Sequence, residues 1–103
     1  MAFTIRDKKR YILFETTADI ATEKEELERS LKQAVLSLAG QLGYYEISPK
    51  LISVVDKNHF IIRCRLSGYW KMLLASSLIK RLGNTELGIY TLKSSGTIKA
   101  LLK

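Results

Sequence analysis

Apolar positions recur along this chain in two periods, every second residue and every third or fourth, and the switches between them mark its elements. Residues 11–16 are short, apolar or aromatic, and closed by the polar Thr16, Thr17 and Asp19, which predicts a strand. A helix is predicted next. Thr22 and Glu25 have capping-box spacing, while Leu27, Leu31, Ala34, Val35, Leu38 and Leu42 fall on one stripe and Gly43 offers a C-terminal stop. Residues 51–56 and 59–66 predict two strands joined through Lys57-Asn58, with Asn58 suited to a positive φ. A second helix over residues 69–82 takes Ser67 as its cap and stops at Gly83-Asn84. Residues 87–94 then predict a fourth strand, and residues 97–103 a short terminal helix.

The order β-α-β-β-α-β is the split βαβ pattern, an α+β fold. It predicts a ferredoxin-like α/β sandwich, two helices covering one face of a four-stranded antiparallel sheet, with the short C-terminal helix added. With 103 residues and no repeat or low-complexity tract, residues 1–103 form a single domain. In this topology the third strand is central and its side chains alternate between faces. Phe60, Ile62, Cys64 and Leu66 are expected against the helices, leaving His59, Ile61, Arg63 and Arg65 on the open face.

Charge adds a partner class to this frame. The net charge is +7, and its distribution is uneven. Residues 1–58 hold nine Lys or Arg against nine Asp or Glu, whereas residues 59–103 hold eight Lys or Arg against Glu86 alone. Within the balanced half, Arg6, Lys8, Lys9 and Arg10 run directly into the first strand, so a rigid element would present them. Cations held this way contact phosphates, and a polyanion such as RNA is the implied partner. A third candidate for an anion is Lys93-Ser94-Ser95-Gly96-Thr97, a strand exit that opens a helix. The open face lacks the aromatic string of an RNA-recognition motif, which argues against base stacking on the third strand. The second helix is apolar around more of its circumference than a core stripe needs, and Trp70, Met72, Leu73 and Ile79 are candidates for a protein interface.

Catalytic patterns are absent. One His, one Cys and no C-x-x-C, H-E-x-x-H, P-loop or nucleophile elbow leave no catalytic residue and no metal site to name. The lone Cys64 forms no internal disulfide, no signal-peptide order appears and no apolar run reaches membrane-spanning length, so a cytoplasmic location is expected.

Three segments, Arg6-Asp7-Lys8-Lys9-Arg10-Tyr11-Ile12, Phe60-Ile61-Ile62-Arg63-Cys64 and Ser95-Gly96-Thr97-Ile98-Lys99, together resemble the archaeal ribonuclease P protein component 2 family. The resemblance spans nearly the whole chain, with the first helix and residues 46–56 similar in pattern only. It implies a non-catalytic protein subunit of ribonuclease P, the ribonucleoprotein that removes the 5′ leader from precursor tRNA with RNA as the catalyst. It implies Mg²⁺ used by that RNA and no cofactor in the protein. Its implied partners are ribonuclease P RNA, precursor tRNA and a TIM-barrel-like protein subunit in a two-by-two heterotetramer. Carried over, Arg6, Lys8, Lys9 and Arg10 would contact RNA and Arg63 would sit on the sheet, with Ser95, Gly96, Thr97 and Lys99 forming the C-terminal turn; strand alternation, apart from the resemblance, makes Arg63 and Arg65 candidate RNA contacts on the open face. Other readings of the same fold order are a different small basic RNA-binding or ribosomal-type protein and a ligand-sensing module. An acylphosphatase-like hydrolase would need a Gly-rich loop with an arginine after the first strand, and residues 16–20 hold neither.

Overall fold

A computed structural model of the chain describes residues 8–20 and 23–102. Its elements are β1 (Lys9–Thr16), α1 (Lys24–Ile47), β2 (Lys50–Asp56), β3 (His59–Arg65), α2 (Tyr69–Leu78), the small strands β4 (Arg81–Leu82) and β5 (Thr85–Glu86), β6 (Ile89–Ser95) and α3 (Ile98–Leu101). The main sheet is antiparallel in the order β2-β3-β1-β6, and α1 and α2 pack on one of its faces, which is the ferredoxin-like arrangement. Strand alternation supplies the core. Ile12 and Phe14 of β1 and Phe60, Ile62 and Cys64 of β3 point toward the helices and are fully buried. Phe14 and Phe60 are direct cross-strand partners, with ring centroids 5.5 Å apart. From α1 come Leu27, Leu31 and Val35, and from α2 Met72.

The first helix departs from its predicted stripe at Gly40. This residue has φ 75° and ψ 176°, so the helical path breaks and restarts, and the turn after it presents a different side inward. Leu42, expected in the core, is therefore 89% exposed; Leu38, also expected there, is exposed already on the turn before the break. Gly43 does not stop the helix either. It packs against Ala39, and the chain continues to the buried Ile47 before Ser48, at φ 45°, ends it with its N–H donating to the Tyr44 carbonyl at 2.7 Å. Thr22 of the predicted capping box lies outside the described residues, and Glu23 stands at the N-cap with no side-chain cap bond.

The second helix is shorter than predicted. It ends at Leu78, and Ile79 turns extended so that Ile79 and Leu82 both reach the core. Gly83-Asn84 makes a tight hairpin between β4 and β5, Gly83 at φ 62°, rather than a helix stop. Arg81 and Glu86, opposed across it, form an ion pair at 2.8 Å. At the other end Ser67 is not the cap. It lies in a 3-10 turn, Leu66–Gly68, that precedes α2, and Gly68 holds the N-cap position. A Cβ on Gly68 would lie 2.6 Å from the Ile47 Cα, so only glycine lets the two chain segments meet. Because β3 ends at Arg65, Leu66 leaves the alternation and is exposed. Asn58 keeps a negative φ, and its N–H donates to the Asp56 carboxylate at 3.0 Å, which closes the β2-β3 turn.

The open face is not wholly open. Ile61 is buried although it points away from the core, and Leu101 is buried too, both outside the main apolar cluster. Helix α3 packs against β1 and β6. It starts at Thr97, whose Oγ1 accepts the Ala100 N–H at 3.2 Å.

Candidate nucleic-acid interface

Opposed residues of an antiparallel ladder share a face, so the register assembles the surface that α1 and α2 leave free. Lys9 opposes Arg65, and Tyr11 opposes Arg63. From the other side of β3, Lys50 opposes Arg63; from the far edge, Ser95 opposes Tyr11 and Lys93 opposes Leu13. One rung, Lys50-Arg63-Tyr11-Ser95, thus crosses all four strands, with Lys9 and Arg65 in the next position along. Leu13 and the buried Ile61 follow in the opposite direction. Beyond them Glu15, Asp56 and His59 gather at the far end. His59 Nδ1 lies 2.7 Å from Asp56 Oδ1 and Nε2 lies 3.7 Å from Glu15 Oε1. The Asn58 N–H, then His59, hold the Asp56 carboxyl below its usual range. The face is therefore polarised, cationic at one end and acidic at the other.

Like charges directly opposed on a ladder destabilise it, and here Lys50 faces Arg63 while Lys9 faces Arg65. A sheet that keeps such pairs is suited to an anion lying across them. Of the nearby carboxylates, Glu15 lies near His59, and Glu46 forms an ion pair with Lys71. The Arg65 guanidinium lies 5.2 Å from the centroid of the Tyr45 ring.

The predicted N-terminal set borders this surface: Lys9 lies on it, whereas Arg10, opposite the buried Cys64, alternates to the helix side. The Lys8 carbonyl accepts the Leu66 N–H at 2.8 Å, which ties the strand's entry to the end of β3. Lys8, Lys9, Arg10, Leu66 and Gly96 line an open cavity of about 350 Å³. The register of β1 against β6 brings the basic segment and the Ser95-Gly96-Thr97 turn together, although they stand far apart in sequence. Arg6 lies outside the described residues. In the turn itself, the Thr97 N–H donates to Ser95 Oγ at 3.3 Å and the Ala100 N–H to Thr97 Oγ1. Those donors are spent within the turn, so it offers an anion less than its sequence suggests. Lys99 is exposed on α3.

Lys50 and Tyr11 were not singled out as RNA contacts by sequence reasoning, whereas Lys93 already stood in the candidate anion segment. Their side of the sheet follows from strand order and register, which no local pattern specifies. The apolar surface expected on α2 is also redistributed. Met72 and Ile79 are buried in the core and Leu73 is partly buried against it, while Trp70 is 77% exposed. Leu74 and Leu78 join Leu38 and Leu42 along a groove of about 320 Å³ between the two helices. Among the described residues no cluster is placed to hold a metal ion, and no helix is long and apolar enough to cross a membrane.

The sequence profile of the Rpp14/Pop5 family matches residues 10–103. Ribonuclease P protein component 2 of Pyrococcus abyssi is 36% identical over 101 residues, covering 97% of this chain and 86% of that protein. Its counterpart in Pyrococcus furiosus is 32% identical over 99 residues, covering 95% and 82%, and that of Methanocaldococcus jannaschii 30% over 96 residues, covering 93% and 71%. A chain in the cryo-EM structure of yeast ribonuclease MRP superposes with a TM-score of 0.67 at 16% identity, over 94% of this chain and 79% of that one, which shows the fold. On the match along almost its full length, this chain belongs to the Rpp14/Pop5 family.

Proposed function

We propose that this chain, a ribonuclease P protein subunit acting in tRNA 5′ processing, serves the enzyme by electrostatic support of its RNA. The observation that carries the reading is the meeting of Lys9, Lys50, Arg63 and Arg65 on one half of the sheet, next to Lys8 and Arg10. Such a surface offsets repulsion between RNA segments and releases their counterions, so a catalytic RNA folds and holds its Mg²⁺ at lower bulk concentration. In this reading RNA performs the cleavage, in the cytoplasm, and the protein supplies no reacting group. A TIM-barrel-like protein subunit, in a two-by-two assembly, covers the apolar groove lined by Leu38, Leu42, Leu74 and Leu78.

The test is reconstitution with ribonuclease P RNA and the partner subunit, reading 5′ cleavage of precursor tRNA at limiting Mg²⁺. The chain is expected to lower the Mg²⁺ requirement, and joint replacement of Lys8, Lys9 and Arg10 by alanine to raise it again. An unchanged requirement with the wild-type chain would overturn the mechanism. Activation by both forms would move the RNA contact onto Lys50 and Arg63.

A further inference from the structure

Among the described residues, the strands contribute one aromatic ring to the cationic half of the open face. Tyr11 stands in the middle of the rung that runs from Lys50 through Arg63 to Ser95. It is half-buried, lies outside the apolar core, and among the described residues has neither a hydrogen bond nor a ring partner. Neither the core nor a polar network explains a tyrosine at this position. A ring beside Arg63, with Lys50 one strand further, is instead a flat apolar surface flanked by phosphate-binding groups. Paired RNA has no use for such a surface, because the faces of its bases are covered by their neighbours in the stack. An unpaired strand exposes base faces, and aromatic rings among cations are how proteins hold it.

We propose that the Lys50-Arg63-Tyr11-Ser95 rung binds an unpaired stretch of RNA, one base stacked on Tyr11 and the flanking phosphates held by Lys50, Arg63 and Lys9. The site deepens the RNA-support reading above and rests on it. Its extent follows from the sheet: four adjacent strands at ~4.8 Å spacing span ~14 Å across the rung. On one side Ile61 is buried and Glu15, Asp56 and His59 gather beyond it, so the acidic end repels a strand that would spread that way. On the other, Lys8, Arg10 and Gly96 border the cavity into which the RNA backbone would continue.

Binding of the full-length chain to fluorescein-labelled hexaadenylate and to a blunt RNA duplex, followed by anisotropy at two salt concentrations, tests this. Wild type is expected to prefer hexaadenylate. Tyr11→Phe should keep that preference, and Tyr11→Leu should weaken hexaadenylate binding about tenfold, one base's stacking, without altering its salt dependence or duplex binding. In parallel, the ring protons of Tyr11 in the wild-type chain should shift upfield in NMR spectra when hexaadenylate is added, a readout independent of how any variant folds. Unshifted ring protons, or equal affinity of wild type and a folded Tyr11→Leu for hexaadenylate, would overturn the site. If the chain still lowered the Mg²⁺ requirement of the catalytic RNA, the support reading would survive that result. Loss of both the Mg²⁺ effect and all RNA binding would remove the support reading as well.

Discussion

Lys50 and Arg63 face each other directly across the β2-β3 ladder, cation against cation, with Arg63 in turn opposite Tyr11 on β1. The pair works against the sheet it sits in, since opposed like charges are destabilising whereas opposed unlike charges stabilise by ~0.2–1 kcal/mol. Lys50→Glu is therefore expected to make the isolated protein slightly more stable to urea while weakening its binding to ribonuclease P RNA. If the variant gained stability without losing affinity, Lys50 would have no part in the interface.

Arg63→Ala tests the same surface through its salt dependence. Each phosphate neutralised contributes roughly 0.7–0.9 to the slope of log affinity against log salt concentration. Removing Arg63 should lower affinity for RNA of any sequence and reduce that slope by about one phosphate's share. Lys32, already paired with Glu28 at 3.0 Å along α1, serves as the control, and its replacement by alanine should leave the slope unchanged.

The α1 pattern shows where reading the sequence succeeds and where it stops. Leu27, Leu31 and Val35 were legible from spacing alone, because one uninterrupted helix keeps one face inward. Leu42 continues the same spacing yet lies exposed beyond the break at Gly40, and nothing in the periodicity distinguishes a tolerated glycine from a kink. Likewise Gly83-Asn84 was visible as a breaker. Whether it ended a helix or turned a hairpin depended on Ile79 and Leu82 having a core to enter. For the interface, the basic segment and Arg63 were visible locally, whereas Lys50 and Tyr11 acquired meaning only once register placed them on one rung. The matched expectation is that Leu31→Ala costs ~2–5 kcal/mol in chemical denaturation. Leu42→Ser should stay within ~0.5 kcal/mol of wild type.

Gly68 is where the end of α1 meets the start of α2. A methyl group there would meet the backbone of Glu46 and Ile47 at 2.6–2.8 Å, and backbone has no rotamer with which to yield. Gly68→Ala should cost ~1–3 kcal/mol by overpacking, seen as a lower urea midpoint with an unchanged slope. A neutral outcome would mean that the two segments separate easily and that the α1-α2 junction is less tightly fixed than the contact implies.

Cys64 gives a prediction in pH. Its thiol is buried against the helices opposite Arg10, and burial pushes its pKa up to about 11 from the usual 9.0, the nearby Lys9 charge offsetting part of the rise. Because the folded state holds this proton more tightly than the unfolded state, the group's contribution to stability is complete below pH 9.0 and is lost as pH rises through about 11. Lysines and tyrosines titrate in the same window, so the test is a difference. Wild type should lose at most ~2 kcal/mol more than Cys64→Ala between those pH values, measured by urea unfolding at each. The same burial predicts that iodoacetamide leaves the folded protein unmodified at pH 8 and alkylates it promptly in urea, because the thiolate is the nucleophile and the fold suppresses both its formation and its access. Rapid labelling of the folded chain would mean that β3 opens locally, and the cationic rung, which depends on the pairing of Arg63 with Tyr11 and Lys50, would not be the rigid surface that its register describes.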